Sequence, residues 1–369
     1  MSAPVSPAPV SSASVPPAPP APGSRPKPWL VIVPVALVVV AAIIWSGLWF
    51  YAAGRAEREI DAWIGREAKL GRIWTCTDRH LAGFPFRFEL RCLMPKLETV
   101  GGDAMRFTAA SVEAVAQVWA PNHLVADFVG PARVEDLTTG QSYVAAWSLL
   151  QMSGVGDLSG RPERFSLQAH DLKLEQPAAT GAQPVSILSA HLFEFHARRS
   201  PGQDGKPDGV DYASGFTGGQ SALLNTLGAE GPVEMALQGT VTASADLRPM
   251  SVAQRMRAWA NAGGIAKLDR FHITSPKIAV TATGAVALDS QGRLNGKLDL
   301  GFAGINDLVQ GLDKAGAIPR EIAPIVGALA MVGKPGQVEG RKGAIFALSF
   351  DAGTLKLAGF PVGIVPPLF

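Results

Sequence analysis

The chain has 369 residues, a formal net charge of +2 and charged side chains at only 17% of positions. A balance this near neutral supplies no field to gather nucleic acid or acidic substrates, so no nucleic-acid partner is expected. Glycine (40 residues) and proline (29) are frequent enough to fill the chain with turns, which argues against a mainly helical fold.

Residues 1–28 are almost entirely Pro, Ala and Ser with little apolar bulk, the composition of a solvated tail of polyproline character. Residues 29–51, "WLVIVPVALVVVAAIIWSGLWFY", carry no charge, and as a helix they are long enough to cross the hydrocarbon of a bilayer. Trp29 at one end and Trp45, Trp49 and Tyr51 at the other suit the two interfaces. The stretch exceeds the apolar core of a cleaved signal peptide, the rival reading. Basic residues lie on both sides of it. The expected orientation, a short cytoplasmic N-terminus and a large body outside, rests on the bulk of that body and on its cysteines.

Residues 52–71 read as a helical stem: Ile60, Trp63, Ile64 and Ala68 recur at helical spacing, Arg55 and Glu59 form an i,i+4 pair, and Gly71 stops the run. From residue 72 the period changes to two. In "LAGFPFRFELRC" (81–92), Phe86, Phe88, Leu90 and Cys92 share one strand face, while Arg87, Glu89 and Arg91 share a solvated one. The alternation returns in Phe165, Leu167 and Ala169, with a register change near His170. It returns again in Phe193, Phe195 and Ala197, and in Val233, Met235, Leu237 and Val241. Residues 273–304 form the clearest hairpin. Val280, Ala282, Gly284, Val286 and Leu288 face Leu294, Leu298, Leu300 and Phe302 across a "DSQG" type I turn. Three helices interrupt the strands, over 247–264, 305–316 and 319–333, and a last hairpin with a Gly/Pro-rich tail repeats Gly-Phe-Pro at 359–361.

These patterns predict a mainly β (α+β) protein: an N-terminal transmembrane helix, then a large antiparallel, twisted, groove-like sheet over 72–369 with a few short helices and a sub-boundary near 229. The only cysteines, Cys76 and Cys92, sit in strand-like runs on either side of a turn at 83–85. In an oxidising compartment they are expected to form a disulfide; two buried free thiols are the alternative, and a zinc site lacks a second ligand pair. His191 and His196 fall on opposite faces of one strand and cannot share a metal. "GALAMVGKP" (327–335) departs from a phosphate loop in spacing and has Pro335 where a hydroxyl is required. No catalytic, metal or cofactor constellation emerges, and an enzyme is not expected. A sheet with one apolar face must bury it against protein or lipid. The candidate core or groove wall is Phe86, Phe88, Leu90, Val286, Leu288, Leu298 and Leu300, and the candidate partners are the membrane, a lipid ligand or an envelope protein.

"GFPFRFELRC" with its upstream cysteine, "AWANAGGIAKLDRFHI", "GAVALDSQGRLNGKLDL" and "KLAGFPVGIVPPLF" follow one membrane helix in that order. Together they resemble the bacterial domain of unknown function 2125 family. The resemblance implies an envelope protein anchored in the bacterial inner membrane, with its large C-terminal body in the periplasm, and no particular activity. The strand–turn–strand pattern of 273–304 is also similar to repeats of AsmA-like envelope proteins, which would imply lipid handling in an apolar β groove by analogy of fold.

Overall fold

The computed structural model describes residues 29–100, 104–157, 159–178, 183–201, 207–226, 229, 231–244, 251–304, 306, 310 and 333–369. The chain divides into two compact units at Tyr51/Ala52. The predicted span and stem are one helix, α1 (Trp29–Lys69), with Pro34 near its first turns and Gly71 at φ +77° beyond its end. Its segment Val31–Lys69 contains a window apolar enough to cross a membrane.

Beyond α1, the strands of the described residues form one antiparallel sheet of twenty-one strands. Those before residue 160 come in pairs that are halves of bent strands: β1 (Arg72–Thr75) with β2 (Asp78–Ala82), β3 (Arg87–Leu93) with β4 (Lys96–Thr99), β5 (Met105–Thr108) with β6 (Ser111–Gln117), β7 (Ala120–Val129) with β8 (Ala132–Asp136), and β9 (Ser142–Ala146) with β10 (Leu149–Gly156). Then come β11 (Pro162–Gln176), β12 (Val185–Pro201), β13 (Pro207–Gly219), β14 (Val233–Val241), β15 (Ile265–Thr274), β16 (Ala279–Leu288), β17 (Leu294–Ala303), β18 (Lys334–Val338), β19 (Arg341–Asp351), β20 (Thr354–Leu357) and β21 (Phe360–Ile364). Counting each bent pair once, sheet order follows chain order, except that β18 lies beyond β19, beside β20. Pairing of β13 with β14 carries the sheet across residue 229. Among the described residues the outer strands do not pair with each other, so the sheet is open.

The bent strands share a crease. One wall (β2, β3, β6, β7, β10) pairs with β11 before Asp171; the other (β1, β4, β5, β8, β9) pairs with it after Asp171, whose φ is +49°. Hydrogen bonds hold the corners in line: Thr77 N donates to Leu93 O at 2.9 Å, Met94 N to Ala110 O at 2.9 Å and Ala110 N to Val129 O at 3.2 Å. Pro95 and Pro131 fall at corners, where a missing ladder donor is tolerated. Small or compact side chains fill the bend: Cys92, Ala109 and Ala132 are buried. At Gly130 a Cβ would stand 3.2 Å from the Trp147 ring, whose Nε1 donates to Phe128 O at 2.8 Å, so a side chain in that turn would press on the ring.

Two short helices are described outside α1: α2 (Ala222–Thr226), and α3 (Val252–Asn261), which lies within the predicted 247–264 and starts on a capping box made by Ser251 and Gln254. The predicted helices at 305–316 and 319–333 lie almost wholly outside the described residues. The 289–292 turn closes as expected, with Gly292 N donating to Asp289 O at 2.9 Å.

Several turn carboxylates are held below their ordinary range by local donors. Asp289 accepts from the Arg293 backbone and side chain, Asp136 from Thr139 and Thr138, and Asp157 from Ser159 and the Arg161 backbone. A carboxylate depressed in the folded state stabilises the fold above its unfolded pKa of about 4, and that contribution is lost as pH falls through the folded value. The thermal midpoint is therefore expected to be insensitive to these groups near neutrality and to fall with acid below about pH 4. A midpoint unchanged down to about pH 3 would contradict this.

Candidate functional site

Register brings the predicted wall residues together. One row of directly paired side chains runs Leu81–Leu90–Ala114–Ala126–Met152–Leu167 through β2, β3, β6, β7, β10 and β11. It continues Phe195–Ser214–Leu237–Phe271–Ala282–Leu300–Phe346 through β12 to β17 and β19. Ser214 is its one polar member. A parallel row starts at Phe88, Ala116 and Leu124 and reaches Leu298, Leu348 and Leu357. At about 4.8 Å per strand, the first row is on the order of 55–60 Å long measured along the sheet.

Phe88, Leu90, Leu298 and Leu300 thus lie on one face, joined by Val286 opposite Gly296, while Leu288 is buried opposite Leu294. Gly284 and Gly296 permit the close approach of β16 and β17: each has φ near +140°, and a Cβ on either would come within 2.2 Å of a carbonyl oxygen across the pair. Most side chains of the face are only half-buried, and the fully buried apolar cluster is small: Ala279, Ala303 and Val338.

The opposite face is polar and linked strand to strand. Arg91 Nε meets Glu113 Oε2 at 3.1 Å, Gln151 Nε2 donates to Asp127 Oδ1 at 2.7 Å, and His196 Nδ1 lies 3.0 Å from Ser166 Oγ. Arg198 and Thr240 both hold Asp211, at 3.1 and 2.9 Å. Burial alone would raise the Asp211 carboxyl, yet Thr240, Ser200 and Arg198 bring it below its usual range; on the other face of the same strand, burial pushes Tyr212 up. Ser166, His196, Arg198, Asp211 and Thr240 are among the residues that line a recess of about 650 Å³. Its charges largely satisfy one another, which suits a structural surface better than a reaction centre. Among the described residues no cluster of three or more His, Cys, Asp or Glu is placed to hold a metal.

Cys76 and Cys92 are joined in a disulfide with Cα atoms 5.5 Å apart, tying the corner between β1 and β2 to β3. Two expectations for this region are corrected. Phe86 is not a wall residue: Arg87 N donates to Gly83 O, closing a tight turn that leaves Phe86 outside β3 and 58% exposed. Glu89 is not solvated: β3 lies between β2 and β6, and Arg87 and Arg91 close over the carboxylate, leaving it 2% exposed. Alternation assigns a side chain to a face and leaves open how much water that face meets. The wall strands around Ala114 and Ala126 were missed because alanine alternates weakly in hydropathy and Val115 and Val125 stand on the opposite face, blurring the period of two.

Compared with known proteins, residues 49–366 match the family model described as "Uncharacterized protein conserved in bacteria (DUF2125)". No curated protein matches the chain.

Proposed function

The chain belongs to the DUF2125 family, whose description assigns no activity, and from the site itself we propose that the protein binds the acyl chains of lipid, or a similarly apolar envelope molecule, along the apolar face of its open sheet. The observation that carries this reading is the row from Leu81 to Phe346, apolar on every strand it crosses except at Ser214, on a half-buried face. A helix apolar enough to anchor the chain would keep that face beside its ligand's source. The reading is of a binding protein without catalysis, in the inner membrane with its body in the periplasm, where the disulfide would persist. The likeness of 273–304 to AsmA-like repeats lends support by fold analogy alone.

Alternation supplies the test. Benzoylphenylalanine is placed at Leu167, Leu237 or Leu300 of the full-length chain in cells, and at the polar-face neighbours Gln168, Gln238 or Asp299 as controls. On irradiation the first set is expected to yield lipid adducts by mass spectrometry and the second set none. Protein adducts at the apolar positions would instead make the chain a structural subunit whose face is covered by a partner. Equal labelling of both faces would remove any specific role for the face.

A further inference from the structure

At the far end of the wall, two turns place exposed aromatic side chains side by side. Phe84 is 48% exposed in the β2–β3 turn, next to Phe86, and Trp119 in the β6–β7 turn is 70% exposed. The turns are bonded through Val118 N to Phe86 O at 3.0 Å, and the rings of Phe86 and Trp119 lie 6.5 Å apart. Neither "LAGFPF" (81–86) nor "VWAP" (118–121) contains a charge. Phe88, Ala116 and Leu124 begin an apolar row directly behind this tip.

The stem shows where the tip stands within the unit that begins at Ala52. Glu67 holds Arg72 through two hydrogen bonds of 2.5 and 2.9 Å, Trp63 meets Trp74 at 5.6 Å, and Asp61 accepts from Arg79 at 2.5 Å. Each step toward Ala52 on the helix matches a step toward the tip on β1 and β2. From Asp61 to Ala52 is about 14 Å of helix. From Arg79 to Phe84 is about 16 Å of extended chain. The tip therefore lies toward the Ala52 end of the stem, the residue that follows the uncharged stretch 29–51 in sequence.

We propose that Phe84, Phe86 and Trp119 form a membrane-docking tip that inserts into the headgroup–acyl boundary of the bilayer and opens the apolar face toward lipid. Exposed Trp and Phe on charge-free loops are the side chains that partition to that boundary. The docking does not depend on lipid being carried by the sheet.

The full-length chain in phosphatidylethanolamine/phosphatidylglycerol proteoliposomes tests it, since α1 remains the anchor in every variant. The Trp119 signal is taken as the difference between wild type and Trp119→Phe. With acyl chains brominated near the headgroup, about half or more of that signal should be lost, while aqueous iodide should have little effect. Benzoylphenylalanine at Phe84 should give a lipid adduct in the same vesicles and in cells. Iodide quenching without bromolipid quenching, or a protein adduct at Phe84, would overturn the proposal. Failure here together with lipid adducts at Leu300 would leave the lipid-binding face standing; the reverse pattern would separate a docking protein from a lipid binder.

Discussion

Replacing both cysteines (Cys76→Ala with Cys92→Ala) is expected to lower the unfolding free energy by about 3 kcal/mol, read as a lower denaturant midpoint with a slope somewhat steeper than wild type, because the unfolded chain expands once the crosslink is gone. The two residues are 16 apart in sequence. Freeing a loop of that size restores roughly this much chain entropy to the unfolded state. Position adds to the effect. Cys92 is buried in the crease, paired with Arg79 on one side and Val112 on the other, so the bridge fixes the first bent strand against the second at the line where the sheet folds. The same edge carries the stem contacts of Asp61, Trp63 and Glu67. Peptide mapping without reductant on protein from cells should return Cys76 linked to Cys92. Free thiols at both positions would remove the stabilisation and, with it, one support for a periplasmic body.

What the sequence made legible follows from which signals are local. The helix Trp29–Lys69 was readable because length, charge absence and the stop at Gly71 are contained in one stretch. The hairpin closed by Asp289 and Gly292 was readable because its turn residues and alternation agree. The crease was not. It is made by single left-handed residues such as Met94 and Asp171, which carry no glycine signal, and by small side chains at Ala109 and Ala132 that any strand could hold. The walls hid for a related reason: Ala114, Ala116 and Ala126 belong to the apolar rows, yet alanine alternation is nearly silent in a hydropathy pattern. The aromatic tip was visible only as a Gly-Phe-Pro turn, because nothing near Phe86 in the chain announces that Trp119 will stand beside it.

Stripping Glu89 of its partners is the second large effect expected. Arg87 Nη2 lies 2.8 Å from one carboxylate oxygen, and Arg91 holds the other while also reaching Glu113. The two arginines are about half exposed and could return to water; Glu89 could not. The asymmetry decides which variant suffers. Arg87→Met with Arg91→Met leaves a buried carboxylate uncompensated, which costs about 3–5 kcal/mol in a sealed interior and, with the edges of this cluster wet, about 2–3 kcal/mol here. Glu89→Gln alone removes the charge and keeps one acceptor oxygen for one arginine, while its NH2 group faces the other, half-exposed arginine, which can turn to water; it should cost about 1–2 kcal/mol. Adding Glu89→Gln to the double arginine variant should then restore about 1 kcal/mol or more, a gain that lost arginine packing cannot explain. Urea midpoints of the three proteins provide the check, and no recovery in the triple variant would show that the arginines act by packing alone. Because Phe88 and Leu90 flank Glu89 on the opposite face of the same strand, the ion cluster also sets how β3 presents them. Lipid adducts formed through benzoylphenylalanine at Leu90 should weaken in the double variant and return in the triple, while those at Leu300, far across the sheet, should stay unchanged.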